Sequence, residues 1–361
     1  MTPEELPILT LSGSPSRRGE THGEALREPI QRFYGGWARS VEKATGKPVA
    51  DVAADFRAST RIEASMRRWT PGLLEELGGI ARAANLPFAP FFMFNATDEN
   101  EWFLKYRGYG LDLPEARGCS SACVEGESRF LGQNMDIPGV TEGYQVVFRI
   151  PAEDDGPEVL VVSLAGMLAL MGMNSAPLGV VNNSLRQLNC RVDGLPVNVM
   201  VRALLEQRSL SEAMRFIQAA PHASGQNYIL ASDEGAAMFE CSAAGAVEVQ
   251  PTDGRLFHTN HPVASTDVNE DPRFNVNRST SDTVVRLDDL AATLAAGQGL
   301  DALASALRSH RDPGNPVCRH LTDRRTNFSA ASVIYDLGSS PSMHVVPGPP
   351  CECDYRQISF G

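Results

Sequence analysis

The chain has 361 residues, 42% of them hydrophobic and 21% charged, which is ordinary globular usage and enough to bury a substantial core. Its formal net charge is −12, and its arginines are scattered rather than massed. Nucleic acid is therefore excluded as a partner, because phosphate binding needs clustered Lys and Arg. No run approaches the ~18 apolar residues of a membrane span, the opening MTPEELPILTLSGSPSRRGE lacks the apolar core of a secretory signal, and the odd count of 7 cysteines suits reduced thiols. A cytoplasmic location is the expectation.

Residues 1–118 read as mainly helical. THGEALREPIQRFYGGWARSVEK and ASMRRWTPGLLEELGGIARAAN repeat apolar residues every three or four positions, and Thr70-Pro71 suits a capped helix start with proline first. Beyond 118 the period shortens to strands: RFLGQNMD, YQVVFRIP, EVLVVSLAG, LGVVNNSL, QNYILASD, AAMFECSA, AVEVQP, RLFHTN and SAASVIYDL. The stretch 159–173, glycine-broken, reads as buried strand plus turn. Asp233-Glu234-Gly235 and Asp253-Gly254 supply hairpin turn chemistry. Two helices interrupt the strands, at PVNVMVRALLEQ and SLSEAMRFIQAA, the second opened by a Ser209/Glu212 capping box. Strands in antiparallel meanders with helices in blocks predict an α+β fold of helix layers on antiparallel sheet. Residues 264–282, polar and irregular, read as a surface loop.

Nucleotide-binding, metalloprotease and serine-hydrolase motifs (GxGxxG, GxxxxGK[ST], HExxH, GxSxG) do not occur. His258 and His261 in HTNHP, and Cys351 and Cys353 in CECD, lack the CxxC or HxxxH spacing that sets ligands on one turn. No metal and no cofactor is expected. Gly118-Cys119-Ser120-Ser121 combines a thiol, neighbouring hydroxyls and a glycine free to adopt strained dihedrals. By composition alone Cys119 is equally a small buried hydrophobe.

Seven segments in order resemble one family. They are LSGSPSRRGETHGE at 11–24 (Gly13, Pro15, Gly19, His22, Gly23), FMFNATDE at 92–99, GCSSA at 118–122, GQNMDI at 132–137, GMNSAPLGVVNNSL at 172–185, FHTNHP at 257–262, and Cys318-Arg319 with VIYD at 333–336. The series is similar to the acyl-coenzyme A:isopenicillin N acyltransferase family of N-terminal-nucleophile (Ntn) proteins. Thr97 stands where that family usually has arginine, and Met135 where it has an aromatic residue.

The resemblance implies a four-layer αββα sandwich and self-cleavage between Gly118 and Cys119 by an N-to-S acyl shift. Residues 1–118 become a small chain, and 119–361 the catalytic large chain; both stay together. It implies Cys119 as nucleophile, its new α-amino group as base, Asp136 orienting that terminus, Asn260 donating to the oxyanion, and Ser121 as a hydroxyl near the scissile bond. Asn183 and Arg319 would line the site. A structural reading stands beside each: Asp136 capping strand-end amides, Asn260 holding the turn before Pro262, Asn183 and Arg319 tying sheets together. His22 and Asn95 are expected to be structural. The implied activity is hydrolysis of a small N-acyl amide or transfer of its acyl group. Alternatives are acyl-CoA:6-aminopenicillanate acyltransfer and, from another class, an uncleaved binding module. Partners would be the small-molecule substrate and the two chains themselves; the oligomeric state, a homo-oligomer included, stays open.

Overall fold

The computed structural model describes residues 1–109, 118–153, 155–271, 274, 282–323 and 325–361. After an opening strand β1 (Ile8–Thr10), the first part is helical: α1 (Pro15–Ala25), α2 (Arg27–Thr45), α3 (Val49–Ser59), α4 (Ile62–Trp69), α5 (Pro71–Ala83), α6 (Phe88–Asn95) and α7 (Thr97–Tyr106). Leu26, with φ −115°, breaks the first amphipathic stretch into α1 and α2. The second breaks at Thr70, where Pro71 opens α5. Thr70 makes no side-chain cap; its hydroxyl turns back to the Met66 carbonyl. α1 crosses α5 on glycines. A Cβ on Gly19 would stand 2.0 Å from the Glu76 carbonyl oxygen, and one on Gly79 2.5 Å from that of Ser16, so neither position admits a side chain.

From residue 118 come β2 (Gly118–Glu125), β3 (Arg129–Pro138), β4 (Gln145–Ile150), β5 (Val159–Leu164), β6 (Met171–Asn174), β7 (Gly179–Ser184), α8 (Val197–Leu205), α9 (Leu210–Ala219), β8 (Gln226–Ala231), β9 (Ala236–Ser242), β10 (Gly245–Val249) and β11 (Leu256–His258). They are followed by α10 (Asp282–Ala295), α11 (Gly299–Leu307), β12 (Asn327–Asp336), β13 (Ser342–Val346) and β14 (Arg356–Ser359). One sheet runs β1-β4-β5-β6-β7-β8-β9-β10, the other β11-β2-β3-β12-β13-β14. Among the strands named here all pairings are antiparallel except β1 with β4, through which the N-terminal part adds an edge strand.

β2 and β3 face β7 across the sheet interface, α8 and α9 pack outside the first sheet, and α10 and α11 outside the second. That is the αββα sandwich. Alternation along β2 explains the layering: Cys119 and Cys123 join the main core, whereas Ala122 and Val124 join the cluster under α10 and α11. The main core also takes Phe33, Phe91 and Phe94 from the N-terminal helices, so one apolar cluster spans both parts.

Asp233-Glu234-Gly235 makes the expected β8–β9 hairpin. Asp253-Gly254, both at positive φ, also makes a tight turn, but between β10 and β11, which lie in different sheets. Ser209 caps α9 by accepting from the Glu212 N–H at 3.2 Å. The Glu212 carboxylate accepts from the Arg208 N–H rather than from Ser209, so the box is offset by one residue. Much of the expected surface loop 264–282 lies outside the described residues, as do 110–117 before the expected cleavage point. Among the described residues no helix is long and apolar enough to cross a membrane.

Candidate active site

β2 and β3 place Gly118 opposite Asp136 and Cys119 opposite Met135. The Cys119 thiol faces the space between the sheets, 3.6 Å from the Met135 sulfur, and lines a cavity of about 730 Å³. The cavity runs from Cys119 into the N-terminal helices. Phe33, Trp37, Phe94, Tyr144 and Met167 give it apolar walls, and the charged lining is mixed: the exposed Arg32, Arg39 and Lys43 on one face of α2, and Asp98 and Glu101 of α7.

Residue 119 is gripped through its backbone. Its N–H donates to Asn260 Oδ1 at 2.7 Å, and its carbonyl accepts from Arg286 Nη1 at 2.7 Å. The same guanidinium donates to Ser120 Oγ at 2.9 Å and to Asn260 Oδ1 at 2.9 Å. Asn260 is fixed in turn: its N–H donates to Thr283 Oγ1 at 2.6 Å, its amide Nδ2 to the Ser184 carbonyl at 3.0 Å, and its carbonyl accepts from Gln187 at 3.2 Å. The side-chain oxygen of Asn260, rather than its amide group, thus faces Cys119.

On the far side of the strand, Asp136 Oδ1 accepts from Ser329 Oγ at 2.7 Å. Arg319 Nε stands 3.2 Å from Asp136 Oδ2 but off the N–H axis, an ion pair rather than a directed hydrogen bond. Asp282 bridges both cations, pairing with Arg319 and, at 3.5 Å, with Arg286. Gly118 sits against these guanidiniums. A Cβ there would lie 2.9 Å from Arg319 Cζ and 3.0 Å from Arg286 Nη2. Gly118 is not at positive φ, so its glycine is demanded by this close approach and not by backbone freedom.

Burial sets the local acidities. It pushes the Cys119 thiol up to about 11, reinforced by the Asp136 charge and opposed by hydrogen bonding to the Asp136 backbone and by Arg286. Burial also raises Asp136 to about 6, against the pull of Arg319 and Arg286.

Ser121 Oγ donates to Asn183 Oδ1 at 2.7 Å across the sheets, and Asn227 donates to the same oxygen at 3.0 Å. The Ser121–Asn183 bond ties β2 to β7. His258 is occupied by Glu240 at 2.9 Å, while that carboxylate also accepts the Val263, Ala264 and Ser265 N–H groups. His261 bonds Thr283 Oγ1 at 3.0 Å, so the HTNHP pair braces the Asn260 loop.

Sequence reasoning missed Arg286, the most connected group here. It sits on the buried stripe Thr283, Arg286, Asp289, Leu290, Leu294 of α10, and an arginine in helical register with Leu290 and Leu294 was the available signal.

The sequence profile of the acyl-coenzyme A:6-aminopenicillanic acid acyl-transferase family matches residues 123–339. The chain belongs to this family. The family takes its name from an acyl transfer. Asp136, Asn183, Asn260, Arg286 and Arg319 fall within the match; Gly118, Cys119 and Ser121 precede its first residue. A curated relative, the 40 kDa form of acyl-coenzyme A:6-aminopenicillanic-acid-acyltransferase from Emericella nidulans, is 28% identical over 257 residues, 70% of this chain and 68% of that one. Among solved structures, a variant of conjugated bile acid hydrolase from Clostridium perfringens overlaps 67% of this chain and 97% of its own, at 11% identity and TM-score 0.45. Penicillin V acylase from Agrobacterium tumefaciens overlaps 67% of this chain and 86% of its own, at 11% identity and TM-score 0.39.

Proposed function

We propose that the chain cuts itself between Gly118 and Cys119 and then works as an amidohydrolase or acyltransferase through a Cys119 acyl-enzyme. The observation that carries this reading is the grip on residue 119. Its N–H and C=O are each fixed by a buried side chain while its thiol opens on a large cavity.

In the intact chain Sγ attacks the Gly118 carbonyl carbon and its proton passes to water in the cavity, while Asp136, on the other face of the strand, orients the Gly118–Cys119 peptide through the charge network of Arg319 and Arg286. The C–N bond breaks as the Cys119 nitrogen takes a proton, leaving Gly118 on sulfur as a thioester. Water hydrolyses it, freeing the Gly118 carboxylate and the Cys119 thiol. The nitrogen held by Asn260 Oδ1 is now an α-amino group, with a pKa near ~7.7–8.0, and it takes the thiol proton when Sγ attacks substrate. The amine leaves, and water or an acceptor amine then takes the acyl group.

The aromatic walls suit an apolar acyl group, and the basic face of α2 suits an anionic group elsewhere on the substrate. A small N-acyl amide with one anionic group meets both demands. A second reading, acyl transfer from a coenzyme A thioester to 6-aminopenicillanate, is favoured by the activity in the Emericella nidulans relative's name.

Intact mass tests the proposal. Purified protein is expected as two associated chains of 118 and 361 − 118 = 243 residues, and Cys119→Ala as one. A single wild-type chain that turns over amides overturns self-cleavage, and a single inert chain favours the binding module. Accumulation of acylated amine from an acyl-CoA, with no amide hydrolysis, selects the second reading.

A further inference from the structure

Away from the cavity, two separate segments bring four ligating side chains together. His310 follows α11, Cys318 and His320 lie on the segment that leads to β12, and Cys351 lies in the turn before β14. Their ligand atoms all fall within 4.8 Å of one another. The sulfurs of Cys318 and Cys351 are 3.5 Å apart, and His320 Nε2 is 3.8 Å from the first and 3.2 Å from the second. Around a tetrahedral zinc ion, bond lengths of about 2.3 Å to sulfur and about 2.0–2.1 Å to nitrogen give ligand–ligand edges of about 3.3–3.8 Å.

The surroundings fit a built site. His320 Nδ1 is 3.0 Å from Glu352 Oε1, the carboxylate–histidine contact that fixes an imidazole with its other nitrogen free to ligate. Arg308 fastens the two segments together, donating to the Pro350 carbonyl at 2.8 Å and the Cys353 carbonyl at 3.2 Å. The Cys318 N–H donates to the Ser309 carbonyl at 3.1 Å, holding the His310 and Cys318 backbones side by side.

We propose that His310, Cys318, His320 and Cys351 form a tetrahedral site for a structural zinc ion. Two thiolates and two imidazoles at these separations select zinc over hard, oxygen-loving cations, and four protein ligands leave no open position for a substrate. Binding releases one proton from each thiol, and no electron is transferred. The absence of CxxC spacing hid the site from sequence, because Cys318 and Cys351 are 33 residues apart.

The site has a structural task. Cys318 and His320 flank Arg319, and in extended chain neighbouring side chains point to opposite sides. The segment thus offers two ligands outward while Arg319 reaches inward to Asp136 and Asp282. A zinc ion would pin the backbone that carries Arg319.

The test is metal analysis of full-length protein made without a polyhistidine tag and purified in the presence of a reductant. About one zinc per chain is expected, falling below about a tenth in Cys351→Ser and in His310→Ala, both at exposed positions. Cobalt added to chelated protein should give tetrahedral thiolate absorption, and chelation should lower the melting temperature of wild type but not of Cys351→Ser. Three results overturn the proposal. One is a zinc-free protein that takes up no cobalt; another is unchanged zinc in Cys351→Ser. The third is a non-reduced mass two hydrogens light with Cys318 and Cys351 cross-linked, which makes the pair a disulfide. None depends on whether Cys119 is the nucleophile.

Discussion

Asn260 Oδ1 lies 2.7 Å from the backbone nitrogen of Cys119 and 2.9 Å from Arg286 Nη2, so one buried side-chain oxygen binds both the nitrogen of the proposed scissile bond and a cation. An amide oxygen that accepts twice is committed. What Asn260 retains for a developing oxyanion is the second N–H of Nδ2, the first being spent on the Ser184 carbonyl.

With that N–H as the oxyanion donor, Asn260 is expected to matter to turnover more than to cleavage. Cleavage is a single intramolecular event that proximity sustains, whereas each catalytic cycle repeats the tetrahedral step. Asn260→Ala is expected to mature slowly and then show kcat lowered by about 10²–10³, with a much smaller change in KM. Steady-state kinetics on the matured fraction decide it; a kcat within about threefold of wild type makes Asn260 a bracing residue only.

Arg286 holds the Cys119 carbonyl, Ser120 and Asn260 from one fully buried position. Arg286→Gln should slow maturation at least about tenfold and lower stability by about 3–5 kcal/mol, since one partner of a buried charge network is gone. Arg286→Lys keeps the charge without the forked donors, so it should recover stability better than maturation. A gel time course beside a denaturant melt separates the two. Equal recovery of both by lysine argues that charge alone is what the site needs.

Gly118→Ala introduces a methyl where Arg319 Cζ would be 2.9 Å away. Shifting that guanidinium disturbs its pairing with Asp136, so cleavage should slow by at least about tenfold. The cleaved fraction should keep kcat within about threefold, because residue 118 ends on the small chain. Cleavage of Gly118→Ala at the wild-type rate would falsify the steric reading.

His22 and Asn95 clamp the backbone of one residue from two N-terminal helices: the Gly166 N–H donates to His22 Nε2 at 2.9 Å, and Asn95 Nδ2 donates to the Gly166 carbonyl at 3.0 Å. Burial lowers His22 from 6.5 to about 3, so the folded ring is neutral. With the folded value depressed, the unfolded chain binds more protons between these limits. The contribution of His22 is therefore fully present above pH 6.5 and is lost as pH falls toward 3, by about 1.4 kcal/mol per unit. Asp136, raised to about 6, acts in the opposite sense: its contribution is present at low pH and is lost as pH rises through about 6. His22→Gln should be less stable at pH 7 but flatten the acid limb. Melting temperatures from pH 7 to pH 4 provide the check, and parallel curves for the two proteins would assign the acid sensitivity to other groups, such as His222.

Local periodicity made the stretches that became α1, α2, α4 and α5 and nine of the strands legible, because a 3.6- or 2-residue repeat of apolar side chains is written within a single window, whereas the short helices α3, α6 and α7 escaped. The motif series carried the family and the αββα layers. It also named Gly118, Cys119, Asp136, Asn260 and Arg319, which the fold gathers around one peptide. β2 itself escaped, since GCSSAC is too polar to announce a strand, and its burial comes from being covered on both faces. α10 and α11 escaped as well, and Arg286 with them. Tertiary packing alone decided that Asp253-Gly254 links two sheets, that Gly118 is a steric requirement, that Asn260 presents its oxygen, and that Cys351 meets Cys318. Each is a relation between residues far apart in the chain, and a one-dimensional pattern encodes the demands of a residue's own segment but not the identity of the neighbours that will meet them.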